Sequence, residues 1–448
     1  MNIVLKRKKY NDMLKWKNEY APDYALFLKG ARRVGKSTIA EAFGKAEYRS
    51  YIKISFDKAS SVVKEMFVEE LNDLDLFFQK IQSIYKTKLY ERESLIILDE
   101  IQLYPEARQA LKTLLEDKRY DYIETGSLAG ITKKSKEILI PSEEYQLDLL
   151  PLDFEEFLWA LNDEFTIPYL KSHLDSLKPF GKELRSYMNK FREYMLVGGM
   201  PQAVVKYVET HDFEKVDFVK KTINNLYKND IKEQNETNST YVNSFFEMIP
   251  SELSKHDKAY KLIHISPNAR LREYGEPINW LEKAMIVNLA HNSTDPSVAL
   301  NLNLEDTTFK CYMGDTGLLI SLAYQNSDYL DNDLYRAIFE DKLHVNEGMI
   351  IENIVAQILR SKGDRLYFYT KVNKETKKTE MKIDFVIRRD KKIIPIEVKS
   401  GNGFTISSLI KYKKMFSNRI GLQYVLYEGD IKSEGEIVYL PYFMASVL

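Results

Sequence analysis

The residues Gly30-Ala31-Arg32-Arg33-Val34-Gly35-Lys36-Ser37 have the types and spacing of a loop that wraps phosphate. Gly30 and Gly35 allow backbone angles that aim successive N–H groups at one point. A helix starting at Lys36 adds partial positive charge there. In that arrangement Lys36 reaches the outer phosphates of a bound ATP, and the Ser37 hydroxyl ligates Mg²⁺. Arg33, Val34 and Thr38 complete the expected nucleotide contacts. Downstream, Leu95-Ile96-Ile97-Leu98 ends in Asp99-Glu100. Asp99 is predicted to hold Mg²⁺ through water, and Glu100 to polarise the attacking water as general base. Thr125-Gly126-Ser127 follows another strand-like stretch. Thr125 and Ser127 are candidate sensors of the γ-phosphate, and a plain turn is the competing reading.

A second constellation lies near the end of the chain. Lys382-Ile383-Asp384-Phe385-Val386-Ile387 and Ile393-Ile394-Pro395-Ile396-Glu397-Val398-Lys399 flank the polar stretch 388–392. A tight hairpin centred on Asp390-Lys391 pairs residue 389 with 392 and sets Asp384 opposite Glu397. Opposed residues share a face with Cβ atoms roughly 5 Å apart. Lys399, two residues on, joins that face. Ile383, Phe385 and Ile387 then meet Ile394, Ile396 and Val398 on the other. Two carboxylates and a lysine suit metal-dependent phosphodiester hydrolysis, with Asp384 and Glu397 as metal ligands and Lys399 supporting the charged transition state. Glu352, in a predicted helix 347–359, supplies a further carboxylate ligand. A hairpin with a solvated polar face reads similarly.

These groups need elements to place them. Ala25-Leu26-Phe27-Leu28 before the loop and residues 94–98 before Asp99 are uninterrupted apolar runs, as expected of strands covered on both faces of a parallel sheet. Ligands of such sheets bind at the strands' carboxyl ends. Residues 1–150 therefore read as an α/β nucleotide-binding core, with a helix from Ala107 to Asp117. Residues 151–235 read as helices interrupted at Gly198-Gly199-Met200-Pro201. Residues 236–325 carry a helix–turn–helix rhythm. Its first helix is Tyr260–Ile265, the turn is Ser266-Pro267-Asn268, and the second helix is Ala269–Ala284. Strands at Met285–Leu289 and Thr308–Met313 would form a wing. The second helix mixes Arg270, Arg272 and Lys283 with Glu273, Glu276 and Glu282, so DNA contact and protein docking both stand as readings. Residues 326–448 form the last domain.

The chain has 448 residues and a formal net charge of −1, so its overall charge says nothing about nucleic acid. The charge is uneven, however. Residues 360–414 hold sixteen Lys or Arg against six Asp or Glu, an excess of ten. This is a footprint suited to a phosphate backbone, and a solubilising face is the alternative. A single cysteine, Cys311, excludes an internal disulfide and points to a reducing compartment. No apolar run approaches the roughly 18 residues of a membrane span. The N-terminus does not have the order of a signal peptide. The cytoplasm is the expected location. The six histidines show no metal-ligand spacing.

The chain resembles prokaryotic AAA-type ATPases, related to the STAND-like archaeal ATPases, that carry a C-terminal domain long described as of unknown function. The stretches that carry the resemblance are Gly30–Ser37, Leu95–Gln102, Thr125–Ser127, Pro151–Leu158, Gly198–Pro201, Lys310–Leu318, Glu352-Asn353, Ile383–Phe385 and Pro395–Ser400. They run in the family's order over nearly the whole chain. The resemblance implies an α/β fold: a P-loop AAA core, a helical lid, a winged helix and a C-terminal domain like restriction endonucleases of the PD-(D/E)xK class. It places Glu352, Asp384, Glu397 and Lys399 on the nuclease pattern. ATP, Mg²⁺, DNA and further copies of the chain are the implied cofactors and partners, with no membrane. Glu124 stands where an apolar residue is expected. Arg108 and Arg119 lie near the helix end where an arginine finger would sit, and neither is assigned that role.

Overall fold

Uninterrupted apolar runs form the first sheet. Its strands are β1 (Ala25–Lys29), β2 (Ser50–Ser55), β3 (Ser94–Asp99), β4 (Asp121–Gly126) and β5 (Glu144–Asp148), all parallel, in the order β2-β3-β4-β1-β5. Strand alternation sends Ala25, Phe27, Ile52, Ile54, Ile96, Leu98 and Tyr122 into one apolar layer. Leu26, Leu28, Leu95, Ile97 and Ile123 enter the other. Both faces are thus covered, which is why these strands carry no polar alternation. The computed structural model describes residues 5–127, 142–234, 239–255, 260–261, 278–296, 299–325, 335–336, 347–373, 375–376, 378–401 and 403–448. They divide into two compact units, residues 1–150 with 283–285, and residues 151–282 with 286–448.

The second unit opens with helices, each started by a local signal. Asp153 and Glu156 form a reciprocal capping box on helix Phe154–Ala160. Pro201 begins helix Pro201–Thr210, where its missing N–H costs nothing. Helices Thr166–Ser176, Leu184–Val197 and Phe213–Gln234 complete the predicted helical stretch. At its break, Gly199 packs so tightly that a Cβ would lie 2.1 Å from the Leu152 carbonyl oxygen. Asp315 caps helix Thr316–Ala323 through the Leu318 N–H (2.9 Å) and also accepts the Gly199 N–H (2.5 Å).

Two sheets follow. One contains β6 (Tyr260–Lys261), β7 (Val287–Ser293), β8 (Leu304–Met313), β9 (Leu366–Val372) and β10 (Thr379–Ile383), in the order β10-β9-β7-β8-β6. The other contains β11 (Phe385–Arg389), β12 (Lys392–Val398), β13 (Gln423–Tyr427), β14 (Lys432–Glu434) and β15 (Ile437–Pro441), in the order β11-β12-β13-β15-β14. The hairpin expected at Asp390-Lys391 is present: Arg389 pairs with Lys392 and Phe385 with Ile396, and Asp390 adopts φ +51° at the turn. One feature differs from the single long strand expected. The chain bends at Asp384, so Ile383 ends β10 in one sheet while Phe385 begins β11 in the other.

The strands read as a wing, β7 and β8, do pair antiparallel. They do not stand alone. β7 also pairs in parallel with β9, so the hairpin becomes the centre of a sheet shared with residues beyond 326. Tyr260–Lys261, expected to begin a helix, is a strand paired with Phe309 and Thr308, because β8 offers it an open edge. Residues 262–277, which hold Arg270, Arg272, Glu273 and Glu276, lie outside the described residues.

Candidate functional site

Between β1 and helix Lys36–Glu47 the chain turns through Arg33 at φ +69° and Gly35 at φ +98°. A Cβ on Gly30 would lie 2.3 Å from the Leu149 carbonyl oxygen and 2.8 Å from Val34 Cγ1, so only glycine fits there. Val34 is buried beneath the loop and anchors it, while Arg32, Arg33 and Thr38 are exposed. Arg7 clasps the loop from outside, donating to the carbonyls of Val34 (3.2 Å) and Leu150 (2.5 Å). The buried Lys36 arches back, its Nζ donating to the carbonyls of Gly30 (2.9 Å) and Ala31 (3.0 Å). A lysine so placed can transfer these bonds to phosphate oxygens.

The strand order completes the site. Because β4 lies between β1 and β3, Thr125 stands between the loop and Asp99. Ser37 Oγ (2.6 Å) and Thr125 Oγ1 (2.5 Å) both donate to Asp99 Oδ1. Ser55 Oγ donates to Oδ2 (2.8 Å), and Lys53 Nζ lies 3.1 Å from the same oxygen. Burial by itself would raise the pKa of Asp99. The three hydroxyl donors and the Lys53 charge outweigh it and hold the carboxyl below its ordinary value, so it stays ionised. Glu100 takes a left-handed backbone (φ +56°) just past the end of β3. Its carboxylate accepts from Gln102 Nε2 (2.5 Å), and its N–H donates to Thr125 Oγ1 (3.3 Å). Ser127 lies half-buried just past β4, with no hydrogen bond that ties it to Asp99.

Lys53, Ser55 and Arg7 were not legible as site residues. The first two reach Asp99 through the β2–β3 register, which pairs Ser55 with Asp99, and alternation puts Lys53 on the same face. Neither candidate arginine faces this site. Arg119 is tied to Asp117 (2.7 Å) and Asp75 (2.6 Å). Arg108 is buried over the Phe27 ring and forks onto Glu144 with two 2.8 Å bonds. Glu124 is also buried, 3.6 Å from Arg108 Nε, and neither of its oxygens has a hydrogen-bond partner. Burial, with the nearby Glu144 charge, pushes its carboxyl well above the usual range despite Arg108.

The second constellation is assembled from both sheets of the second unit. β8 contributes Lys310 and Tyr312, helix Glu347–Ser361 contributes Glu352, the bend contributes Asp384, and β12 contributes Glu397. Glu352 Oε1 accepts from Lys310 Nζ (2.8 Å) and Tyr312 Oη (2.5 Å). Asp384 Oδ1 lies 3.6 Å from Lys310 Nζ and 3.7 Å from Lys382 Nζ, while its Oδ2 accepts the Val398 N–H (3.1 Å). Glu397 forms an ion pair with Lys399 without a well-directed hydrogen bond. Burial pushes its carboxyl up to about 7; Asp384 adds to the rise and Lys399 opposes it. Next to Glu352, Asn353 has a fixing role: it accepts the Met313 N–H (2.8 Å) and donates to Thr316 Oγ1 (2.9 Å), tying the helix to the end of β8. Among the described residues no group of three or more His, Cys, Asp or Glu side chains is disposed to hold a metal ion. No helix among them is long and apolar enough to cross a membrane.

Comparison with known proteins matches three segments of the chain. Residues 22–158 match the family model of an AAA domain, and residues 188–329 and 347–443 match two domains of unknown function. An uncharacterized protein of Methanocaldococcus jannaschii is 22% identical over 277 residues, which is 59% of this chain and 53% of that protein, so the chain spans about half the length of this relative. Among solved structures, a Walker-type ATPase of Pyrococcus abyssi aligns over 71% of this chain and 96% of its own, at 16% identity and a TM-score of 0.40. The Orc1 protein of Aeropyrum pernix, solved in complex with DNA, aligns over 73% and 94%, at 12% identity and a TM-score of 0.29. Likenesses this distant say nothing about what this chain does. The loop, the five parallel strands and the family match agree on one point: residues 22–158 form an AAA-type P-loop domain.

Proposed function

We propose that the chain binds and hydrolyses ATP with Mg²⁺, and that its nucleotide state governs a nuclease-like C-terminal region directed at DNA. The observation that carries the first half is the meeting of Ser37, Thr125, Ser55 and Lys53 on an ionised Asp99 beside a glycine-shaped loop. A hydroxyl and a carboxylate presented together are hard oxygen donors suited to Mg²⁺. Ser37 and Asp99 would hold that Mg²⁺, which would supply positive charge to offset charge developing on the phosphates. Lys36 would give up its two carbonyl bonds for the outer phosphates. Glu100, held by Gln102, would orient water and accept its proton. Thr125 bonds both Asp99 and the Glu100 backbone, so it would relay the state of the site into β4. Glu100 is the proposed catalytic base of the ATP site; on a cleaving reading of the C-terminal region, Asp384, Glu397 and Lys399 would be its catalytic residues. The nucleotide contacts are proposed as Gly30, Arg33, Val34, Gly35, Lys36, Ser37, Thr38, Asp99, Thr125 and Ser127.

DNA as the partner is supported by the basic stretch 360–414. Lys362, Arg365, Lys371, Lys378, Arg388, Lys391, Lys392, Lys411 and Lys414 are exposed there. Arg389 is instead committed to Asp364 by bonds of 2.6 and 2.8 Å. Two readings of the region differ in outcome. The closeness of Asp384, Glu397 and Lys399 favours cleavage, whereas the buried Lys310 between Glu352 and Asp384 favours a region that grips DNA without cutting it. The test pairs two assays on wild type and Lys36→Ala: Mg²⁺-ATP turnover, and binding of a labelled DNA duplex with and without ATP. Wild type should turn over ATP and change its DNA affinity with nucleotide, and Lys36→Ala should do neither. ATP turnover that survives Lys36→Ala would sink the site assignment. DNA affinity indifferent to ATP would sink the coupling.

A further inference from the structure

The resemblance to metal-dependent nucleases implies a divalent ion among Glu352, Asp384 and Glu397. The residues around them do not fit one. Mg²⁺ demands near-octahedral oxygen ligation at about 2.0–2.1 Å. Here the oxygens that could supply it face ammonium and N–H groups. Glu352 Oε1 takes two donors, Lys310 and Tyr312. Asp384 Oδ2 takes the Val398 N–H, and its Oδ1 faces two lysines. Glu397 faces Lys399. Three carboxyl groups are therefore met by three lysines, so the cluster already holds at least as many ammonium groups as carboxylate charges before any ion arrives.

Lys310 is the unusual member. It is fully buried, and a buried ammonium persists only where partners replace its water. Those partners are present. Besides Glu352 and the Asp384 side chain, its Nζ lies 3.5 Å from the Asp384 carbonyl oxygen. The rings of Phe368 and Phe385 flank it, with centroids 5.2 and 5.8 Å from Nζ. This is a built pocket for one ammonium group, fixed on β8, and it is not a flexible surface lysine that swings aside.

We propose that the Lys310 ammonium is the resident cation of this cluster, bridging Glu352 and Asp384, and that the cluster takes no divalent metal. This decides between the two readings of the C-terminal region in favour of gripping without cutting. It is independent of the ATP site, which has its own carboxylate and its own test.

The experiment uses terbium luminescence on the full chain without nucleotide. Tb³⁺ occupies oxygen-ligand sites and is sensitised by a nearby tyrosine, here Tyr312. Four proteins are compared: wild type, Glu352→Gln, Glu397→Gln and Lys310→Met. Wild type should show no saturable signal that either glutamine variant removes. Lys310→Met, which unlocks Glu352 and Asp384, should gain such a signal, and adding Glu352→Gln to it should remove the gain. A wild-type signal lost in both Glu352→Gln and Glu397→Gln overturns the proposal. A folded Lys310→Met that gains nothing overturns the role given to Lys310. If Lys310→Met fails to fold, the wild type and the two glutamine variants still decide, and calorimetric titration with Mn²⁺ repeats the comparison without relying on tyrosine.

Discussion

The buried trio of Arg108, Glu124 and Glu144 makes a sharp prediction about the AAA unit. Arg108 lies 2.8 Å from Glu144 in two places and 3.6 Å from Glu124. At an effective dielectric constant near 20 the Arg108–Glu144 separation corresponds to a raw attraction of about 6 kcal/mol, whereas Glu124, which keeps its proton, contributes no full ion-pair attraction. Desolvation of three buried groups cancels most of that. Arg108→Met leaves two buried carboxylates facing each other and should cost about 3–5 kcal/mol. Glu124→Leu removes the carboxylate that has no hydrogen bond, leaves Arg108 and Glu144 as a one-to-one pair, and should be neutral or stabilising by about 1 kcal/mol. Glu124 holds its proton to higher pH when folded than when unfolded. Wild-type stability should therefore fall as pH rises above the ordinary carboxylate range, and Glu124→Leu should remove that fall. The assay is urea unfolding followed by Trp16, buried in this unit, in a background where Trp159 and Trp280 are replaced by Phe. The reasoning is refuted if Arg108→Met costs less than about 1 kcal/mol, or if Glu124→Leu destabilises by more than about 2 kcal/mol.

Other perturbations test other parts. Glu100→Gln should keep ATP binding and lower turnover at least about 100-fold, the scale of a lost general base; undiminished turnover would remove Glu100 from the mechanism. Gly199→Ala should destabilise the second unit by about 1–3 kcal/mol, since its Cβ would press on the Leu152 backbone; an unchanged melting profile would contradict that packing. Glu397, with its carboxyl pushed up to about 7, binds a proton more readily folded than unfolded. The second unit should then lose up to about 3 kcal/mol as pH rises from about 4.5 to about 7, and Glu397→Gln should flatten that dependence in urea midpoints taken at pH 5 and pH 8.

What was legible in the sequence is what local pattern encodes. The glycine spacing of residues 30–37 and the apolar run into Asp99 gave the phosphate loop and its carboxylate. The alternation on either side of Asp390-Lys391 gave the hairpin register, because a period of two leaves few alternatives once the turn is placed. The residues that were missed are long-range. Lys53 and Ser55 meet Asp99 only because β2 lies beside β3 in that register. Lys310 meets Glu352 and Asp384 only through the folding of β8, a helix and the bend at Asp384 into one neighbourhood. The break at Asp384 was invisible because the apolar alternation runs through it without interruption, even though the two halves serve different sheets.

The parallel pairing of β7 with β9 also bears on how the chain is made. Residues 287–293 sit between β8, which soon follows, and β9, which begins only at Leu366. At about 5–20 residues per second of synthesis, β7 spends several seconds with one side unpaired while its partner is still to come. The AAA unit's sheet has all five of its strands by Asp148, long before β9 is made. Nascent chains stalled short of residue 366 should therefore carry a finished nucleotide-binding fold joined to an exposed β-edge. That intermediate is the one on which a holdase chaperone, or another copy of the same chain, has a strand to pair with.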